Sequence, residues 1–193
     1  MSRYIILGDS IAYGNNDPYG GWVWYLRELL SSNNPDNEIV NLSIGGETIL
    51  NFSKDIESGL KRFLDATIEI VFILALGIND TNSIKHPAAT SDNNEFINSL
   101  GKILDYLKKY SSFIYCVGLT RVDESKVSPD FTNSKIEEYD KLLEIFAGEN
   151  RISYIDLKSS VFNKDFGSLL DDGLHPNTIG HKLIYEEIRK HIK

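Results

Sequence analysis

Cysteine is nearly missing from this sequence. Cys116, in the apolar run FIYCVGL, is the single one, so an intramolecular disulfide is excluded and the residue reads as a small buried hydrophobe. Histidine is scarce too: four residues, widely scattered, offer no plausible metal set. Basic residues are outnumbered, 20 against 28 acidic, for a net charge of −8. No run of Lys and Arg offsets that balance, which argues against nucleic acid or an anionic membrane as partner. No apolar run approaches the roughly 18 residues of a membrane span. The opening MSRYIILGDS has no long apolar segment ending in a small-residue cleavage site. The expectation is a cytoplasmic protein without stable membrane association, its oligomeric state open. Repeats and low-complexity linkers are absent as well. With 193 residues and 41% hydrophobic content, a single domain over 1–193 has enough apolar material for one core.

What is present is an alternation of strand and helix signals. Short apolar runs at 4–8, 38–43, 68–76, 113–119 and 152–157 read as strands. The run IEIVFILAL is apolar almost without interruption, as a strand buried on both faces should be. Helical patterns fall between them, at 21–30, 48–64, 95–110 and 133–147, and the chain closes with one at 177–192. In the second of these, Ile49, Phe52, Ile56, Leu60, Phe63 and Leu64 recur at helical spacing; in the third, Phe96, Leu100, Ile103, Leu104 and Leu107 do. Five strands separated by helices imply a three-layer α/β/α fold around a five-stranded, mostly parallel sheet. Two long polar connections, 79–94 and 120–133, are candidates for functional loops.

Polar motifs stand where the strands end. Gly8-Asp9-Ser10 follows the first, NLSIGGET (41–48) the second, GIND (77–80) the third, and DDGLHP (171–176) comes after the fifth. A parallel sheet gathers the carboxyl ends of its strands on one edge, so these distant segments should converge. Their residue types then suggest roles. A Ser hydroxyl is a weak nucleophile and needs a base. His175 titrates in the right range to be that base, and Asp172, three residues before it, can hold the imidazole in one tautomer. The side-chain amide of Asn79 and the backbone N–H groups of Gly46 and Ser10 can donate to a developing oxyanion. Each motif alone has a plainer reading: an N-cap for Gly-Asp-Ser, a tight turn for Gly45-Gly46, a loop for GIND, and a helix start for Asp-x-x-His with Pro176 at or near the first turn. Their order and placement favour the joint reading.

On these motifs the sequence resembles an SGNH hydrolase of the GDSL lipase/esterase family. The four letters fall on Ser10, Gly46, Asn79 and His175, in order and over nearly the whole chain. Gly46 matches better than Gly45 because Glu47-Thr48 follows it. The resemblance implies a flavodoxin-like sheet of order 2-1-3-4-5. It also implies a Ser10–His175–Asp172 triad, oxyanion donors at Ser10, Gly46 and Asn79, and no metal or organic cofactor. The function expected is a serine esterase acting through a covalent acyl-enzyme on small-molecule esters of short acyl groups. Thioesterase, lysophospholipase or acyltransferase activity at the same site is the alternative, and a noncatalytic binding module the remote one. Of the other residues, Asp9 and Asp80 are expected to brace loops, Asp9 being too acidic to act as a base. Tyr13 should contact the pocket and Trp22 or Trp24 the core. His181 should lie on a helix face away from the motifs, as should His191, while His86 could approach substrate from its long loop.

Overall fold

Tyr4-Ile5-Ile6-Leu7 carries apolar side chains toward both faces, and only the interior of a sheet can bury both. The computed structural model, which describes residues 1–82, 93–163 and 166–192, places this run in the middle of one. The strands are β1 (Ser2–Gly8), β2 (Glu38–Asn41), β3 (Glu69–Ala75), β4 (Phe113–Val117) and β5 (Ser153–Ile155). They form one sheet of order β2-β1-β3-β4-β5, and every neighbouring pair is parallel. β1 and β3 pair in full, from Ser2 opposite Glu69 to Gly8 opposite Ala75. Ile5, Ile6, Leu7, Phe72 and Ile73 have no exposed surface. The order is the flavodoxin-like one that the family resemblance implied.

The helices are α1 (Ser10–Tyr13), α2 (Gly21–Asn33), α3 (Ile49–Leu60), α4 (Asn93–Leu107), α5 (Asn133–Asn150), α6 (Leu157–Ser160) and α7 (Thr178–Ile188). α2 packs on α7, and α3 on α4. The α4 stripe expected from its periodicity is buried throughout, and Phe96 meets the Tyr139 ring of α5 edge-on, with centroids 4.7 Å apart. No helix among the described residues is long and apolar enough to cross a membrane. Cys116 is buried, and desolvation pushes its thiol up to about 12, which leaves it unreactive at neutral pH.

Some element ends differ from the sequence reading. β5 stops at Ile155 because the next residue, Asp156, turns its carboxylate onto the N–H of Ser159 and caps α6. The helical pattern of 48–64 breaks at Leu60, and Lys61–Phe63 tighten into a 3-10 turn. Past Asn41 the chain still follows β1, with Leu42 N–H on the Ile6 carbonyl and Ile44 N–H on that of Gly8. This last pairing delivers the Gly45-Gly46 segment to the same sheet edge as Ser10.

Candidate active site

Where β1 ends, Asp9 accepts a hydrogen bond from Ile11 N–H at 2.9 Å and so caps the four-residue helix that begins at Ser10. The loop-bracing role expected of Asp9 is present, but its acidity is not. Burial pushes its carboxyl up to about 6 against the lowering effect of that cap. A cap within an apolar sheet end costs Asp9 its hydration, which the sequence could not reveal.

The segment DDGLHP is a tight hairpin. Leu170 pairs with Pro176 in an antiparallel bridge, Asp171 N–H donates to the His175 carbonyl at 2.9 Å, and Asn177 N–H to that of Leu169 at 2.8 Å. Asn177 is the N-cap of α7, so Pro176 lies one residue outside the helix rather than in its first turn. Gly173 sits at φ 90°, and a Cβ there would come within 2.7 Å of Lys126 Cβ, so only glycine fits. The carbonyl of Gly173 also accepts from Asp123 N–H at 2.8 Å. The long 120–133 connection is therefore a buttress for the hairpin, a role its sequence did not disclose.

Within the hairpin, Asp172 Oδ1 accepts the N–H groups of Leu174 at 3.0 Å and His175 at 2.8 Å. Its Oδ2 accepts from His175 Nδ1 at 2.7 Å. Partial desolvation works to raise the carboxyl, but these donors outweigh it and hold it well below the usual carboxylate range. An ionised carboxylate can only accept, so Nδ1 carries the proton; in the neutral ring Nε2 is then an acceptor. Nε2 lies 2.9 Å from Ser10 Oγ, which donates to it. Residues 165 apart in sequence thus meet, and Ser10 is nearly buried.

Beside them, Ile44 to Glu47 form a turn closed by Glu47 N–H on the Ile44 carbonyl at 3.1 Å. Gly46 occupies it at φ 79°, the value a type II turn demands at its third position. No hydrogen bond among the described residues uses the N–H of Ser10 or Gly46. Gly45 lies beside the Ser10 side chain: a Cβ on it would be 3.9 Å from Ser10 Cβ. Asn79 does not fold its side chain onto its own backbone. Its Nδ2 donates across to the Glu47 carbonyl at 3.0 Å, which ties GIND to the glycine turn and uses one of the two amide hydrogens.

Asp80, the next residue, is fully buried and caps α3 from outside, accepting Ile49 N–H at 2.9 Å. Desolvation pushes its carboxyl up to about 7, and the nearby charge of Asp9 adds to the rise. Because this folded value lies above that of an unfolded Asp, about 3.9, the native state binds the extra proton. Its stabilising effect is complete below about pH 4 and is lost as pH rises toward 7. Thermal midpoints measured from pH 4 to 8 should therefore decline less steeply with pH in Asp80→Asn than in the unaltered protein. Parallel curves would mean that Asp80 is ionised throughout.

Other expectations need correction. His181 lies on α7 as expected, but not apart from the motifs. It is fully buried, and its Nε2 donates at 3.1 Å to the carbonyl of Asn15, five residues past Ser10. Burial lowers its pKa and keeps the ring neutral. Of the aromatic residues, Trp22 is buried in the core as expected, and Tyr13 is 62% exposed. Trp24 instead joins Tyr19 and Tyr25 in a surface aromatic cluster. His86 lies outside the described residues. One residue near the site went unremarked in the sequence: Asn16 donates its amide to Asp172 Oδ2 at 3.2 Å. Among the described residues, no three His, Cys, Asp or Glu side chains converge as a metal site.

Comparison with known proteins agrees with the fold. The family model described as GDSL-like Lipase/Acylhydrolase matches residues 6–183. No curated protein matches the chain significantly. Among solved structures, a variant of an acetyl xylan esterase from Geobacillus stearothermophilus superposes with a TM-score of 0.78 at 18% identity, over 97% of this chain and 93% of its own. A second acetyl xylan esterase gives 0.77 at 23% identity, over 99% and 100%. An alpha/beta hydrolase from the metagenome of Lake Arreo, Spain, gives 0.77 at 17%, over 97% and 93%. At these identities the similarity is one of fold.

Proposed function

The chain belongs to the GDSL-like lipase/acylhydrolase family and is a carboxylic ester hydrolase, and from that premise we propose that it removes short acyl groups, acetyl first among them, through Ser10, His175 and Asp172. The observation that carries this reading is the 2.9 Å contact between His175 Nε2 and Ser10 Oγ, with Nδ1 already engaged by Asp172. As Ser10 Oγ attacks an ester carbonyl, its proton passes to Nε2 and the imidazolium is stabilised by the carboxylate. The negative oxygen of the tetrahedral intermediate sits among the N–H groups of Ser10 and Gly46 and the second amide hydrogen of Asn79. Collapse returns the proton from Nε2 to the leaving alcohol and leaves an acyl-Ser10 ester. Water, deprotonated by the same nitrogen, then releases the acid.

The acetyl preference draws on the acetyl xylan esterases that share the fold, and an O-acetylated sugar is the natural first candidate for the alcohol. It is tested with p-nitrophenyl acetate, butyrate and octanoate, acetylated xylo-oligosaccharides, acyl-CoAs and lysophospholipids. Acetate should be cleaved fastest among the p-nitrophenyl esters. A kcat/KM higher on acyl-CoAs or lysophospholipids than on any oxygen ester of a short acid would replace the proposal with the thioesterase or lysophospholipase reading.

Asn79 separates a donor from a mere turn residue. Asn79→Ala should lower kcat by about 10²–10³ with KM little changed, since the lost bond strengthens as charge develops. It should also cost about 1 kcal/mol of stability through the bond to Glu47. A lowered thermal midpoint with kcat intact would confine Asn79 to its structural bond.

A further inference from the structure

We propose that Asn16 is a positioning residue for the carboxylate of Asp172; the proposal rests on the reading that Asp172 orients His175 toward Ser10. Asp172 Oδ1 is fully engaged by backbone N–H groups of its own hairpin. Oδ2, the oxygen facing the imidazole, has a second protein donor in the amide of Asn16, at 3.2 Å. The Asp172 side chain is 49% exposed, so in the absence of Asn16 that side of Oδ2 would be held only by exchanging water. A donor fixed there keeps the carboxylate plane aligned with the ring. It also draws charge from Oδ2, which favours keeping the shared proton on Nδ1.

Hydrogen bonds on both sides hold the backbone around Asn16. Asn15 N–H donates to the Ser10 carbonyl at 3.0 Å, and Asp17 N–H to that of Gly14 at 3.2 Å. Buried His181 grips the Asn15 carbonyl, and Asp17 Oδ2 accepts the N–H groups of Tyr19 and Gly21. Asn16 itself stands at φ 65°, a left-handed conformation that asparagine and glycine adopt far more readily than other residues. Of those two, asparagine alone supplies an amide. The segment leaving the nucleophile helix thus reaches the acid-base hairpin 156 residues away. It couples the position of Asp172 to that of Ser10.

Glycine is the informative substitution, because it removes the amide and keeps the backbone conformation. Asn16→Gly should lower kcat roughly three- to tenfold, the value of one exposed hydrogen bond to a charged group, with KM and the thermal midpoint unchanged. Asn16→Asp, which keeps the shape and places a second carboxylate against Asp172, should lose more than Asn16→Gly. In an Asp172→Asn background, Asn16→Gly should cost nothing further, because the group it acts through is gone. The proton resonance of His175 Nδ1–H should also shift in Asn16→Gly, where a purely structural role predicts none. Unchanged kcat in Asn16→Gly, or the same fold loss in both backgrounds, would overturn the proposal while leaving the Ser10 reading intact. Full activity of Asp172→Asn would instead remove the reading on which it rests.

Discussion

Ser10→Ala should leave the fold in place and reduce ester hydrolysis by roughly 10⁴-fold or more, to the level that oxyanion donors and binding alone can sustain. The substitution removes one oxygen from the start of α1. The cap holding that helix comes from Asp9, so the element does not depend on the hydroxyl. What disappears is the bond to His175 Nε2, and the ring retains its anchor on Asp172. The thermal midpoint should therefore move little. A fluorophosphonate probe should label the unaltered protein and fail on Ser10→Ala. Retention of more than about a tenth of the activity in a sample free of contaminating esterase would show that another group is the nucleophile.

The contrast between what the sequence disclosed and what it hid follows from the range over which each signal acts. The apolar runs of β1 and β3 have no amphipathic alternation, and burial on both sides of a parallel sheet is the condition that produces such runs. The motif residues were legible for a related reason. A parallel sheet brings strand ends to one edge whatever the intervening helices contain, so Ser10, the Gly46 turn and Asn79 could be assigned to one neighbourhood without side-chain detail. His181 was not legible. On α7 it is four residues from Tyr185, and nothing local distinguishes an exposed ring from one inserted between α7 and the loop after α1. Its burial is decided by Asn15, 166 residues earlier. Asp9 misled for a similar reason, because the desolvation that raises its carboxyl comes from the packing around it and not from its neighbours in the chain. Asn16 carries no motif at all. Only the meeting of its loop with the hairpin gives it a partner.

Asp172 and Asp171 are adjacent carboxylates, yet Asp172→Asn should lower kcat by about 10³–10⁴ while Asp171→Asn stays near the unaltered value. The structure gives them different work. Asp171 contributes its backbone N–H to the hairpin, and its side chain is exposed. Asp172 contributes both carboxylate oxygens: Oδ1 to two backbone N–H groups, Oδ2 to the imidazole. An amide cannot satisfy both sets. With its oxygen toward Leu174 and His175 N–H, its NH₂ confronts Nδ1–H and drives the ring to the Nε2–H tautomer, which cannot take a proton from Ser10. With its oxygen toward the ring, the NH₂ confronts the two backbone donors and the hairpin loosens. The first arrangement loses turnover with little loss of stability, and the second loses both. Because the folded pKa of Asp172 lies below the unfolded value, the stability its charge provides is present above about pH 4 and is lost as pH falls further. Asp172→Asn should thus lose part of the acid sensitivity of unfolding, and Asp171→Asn should keep it. Kinetics on p-nitrophenyl acetate and thermal midpoints between pH 2 and 7, taken on the same two variants, test both effects. Equal losses of kcat would mean that the hairpin acts only as a scaffold and that His175 reaches Ser10 without help from Asp172.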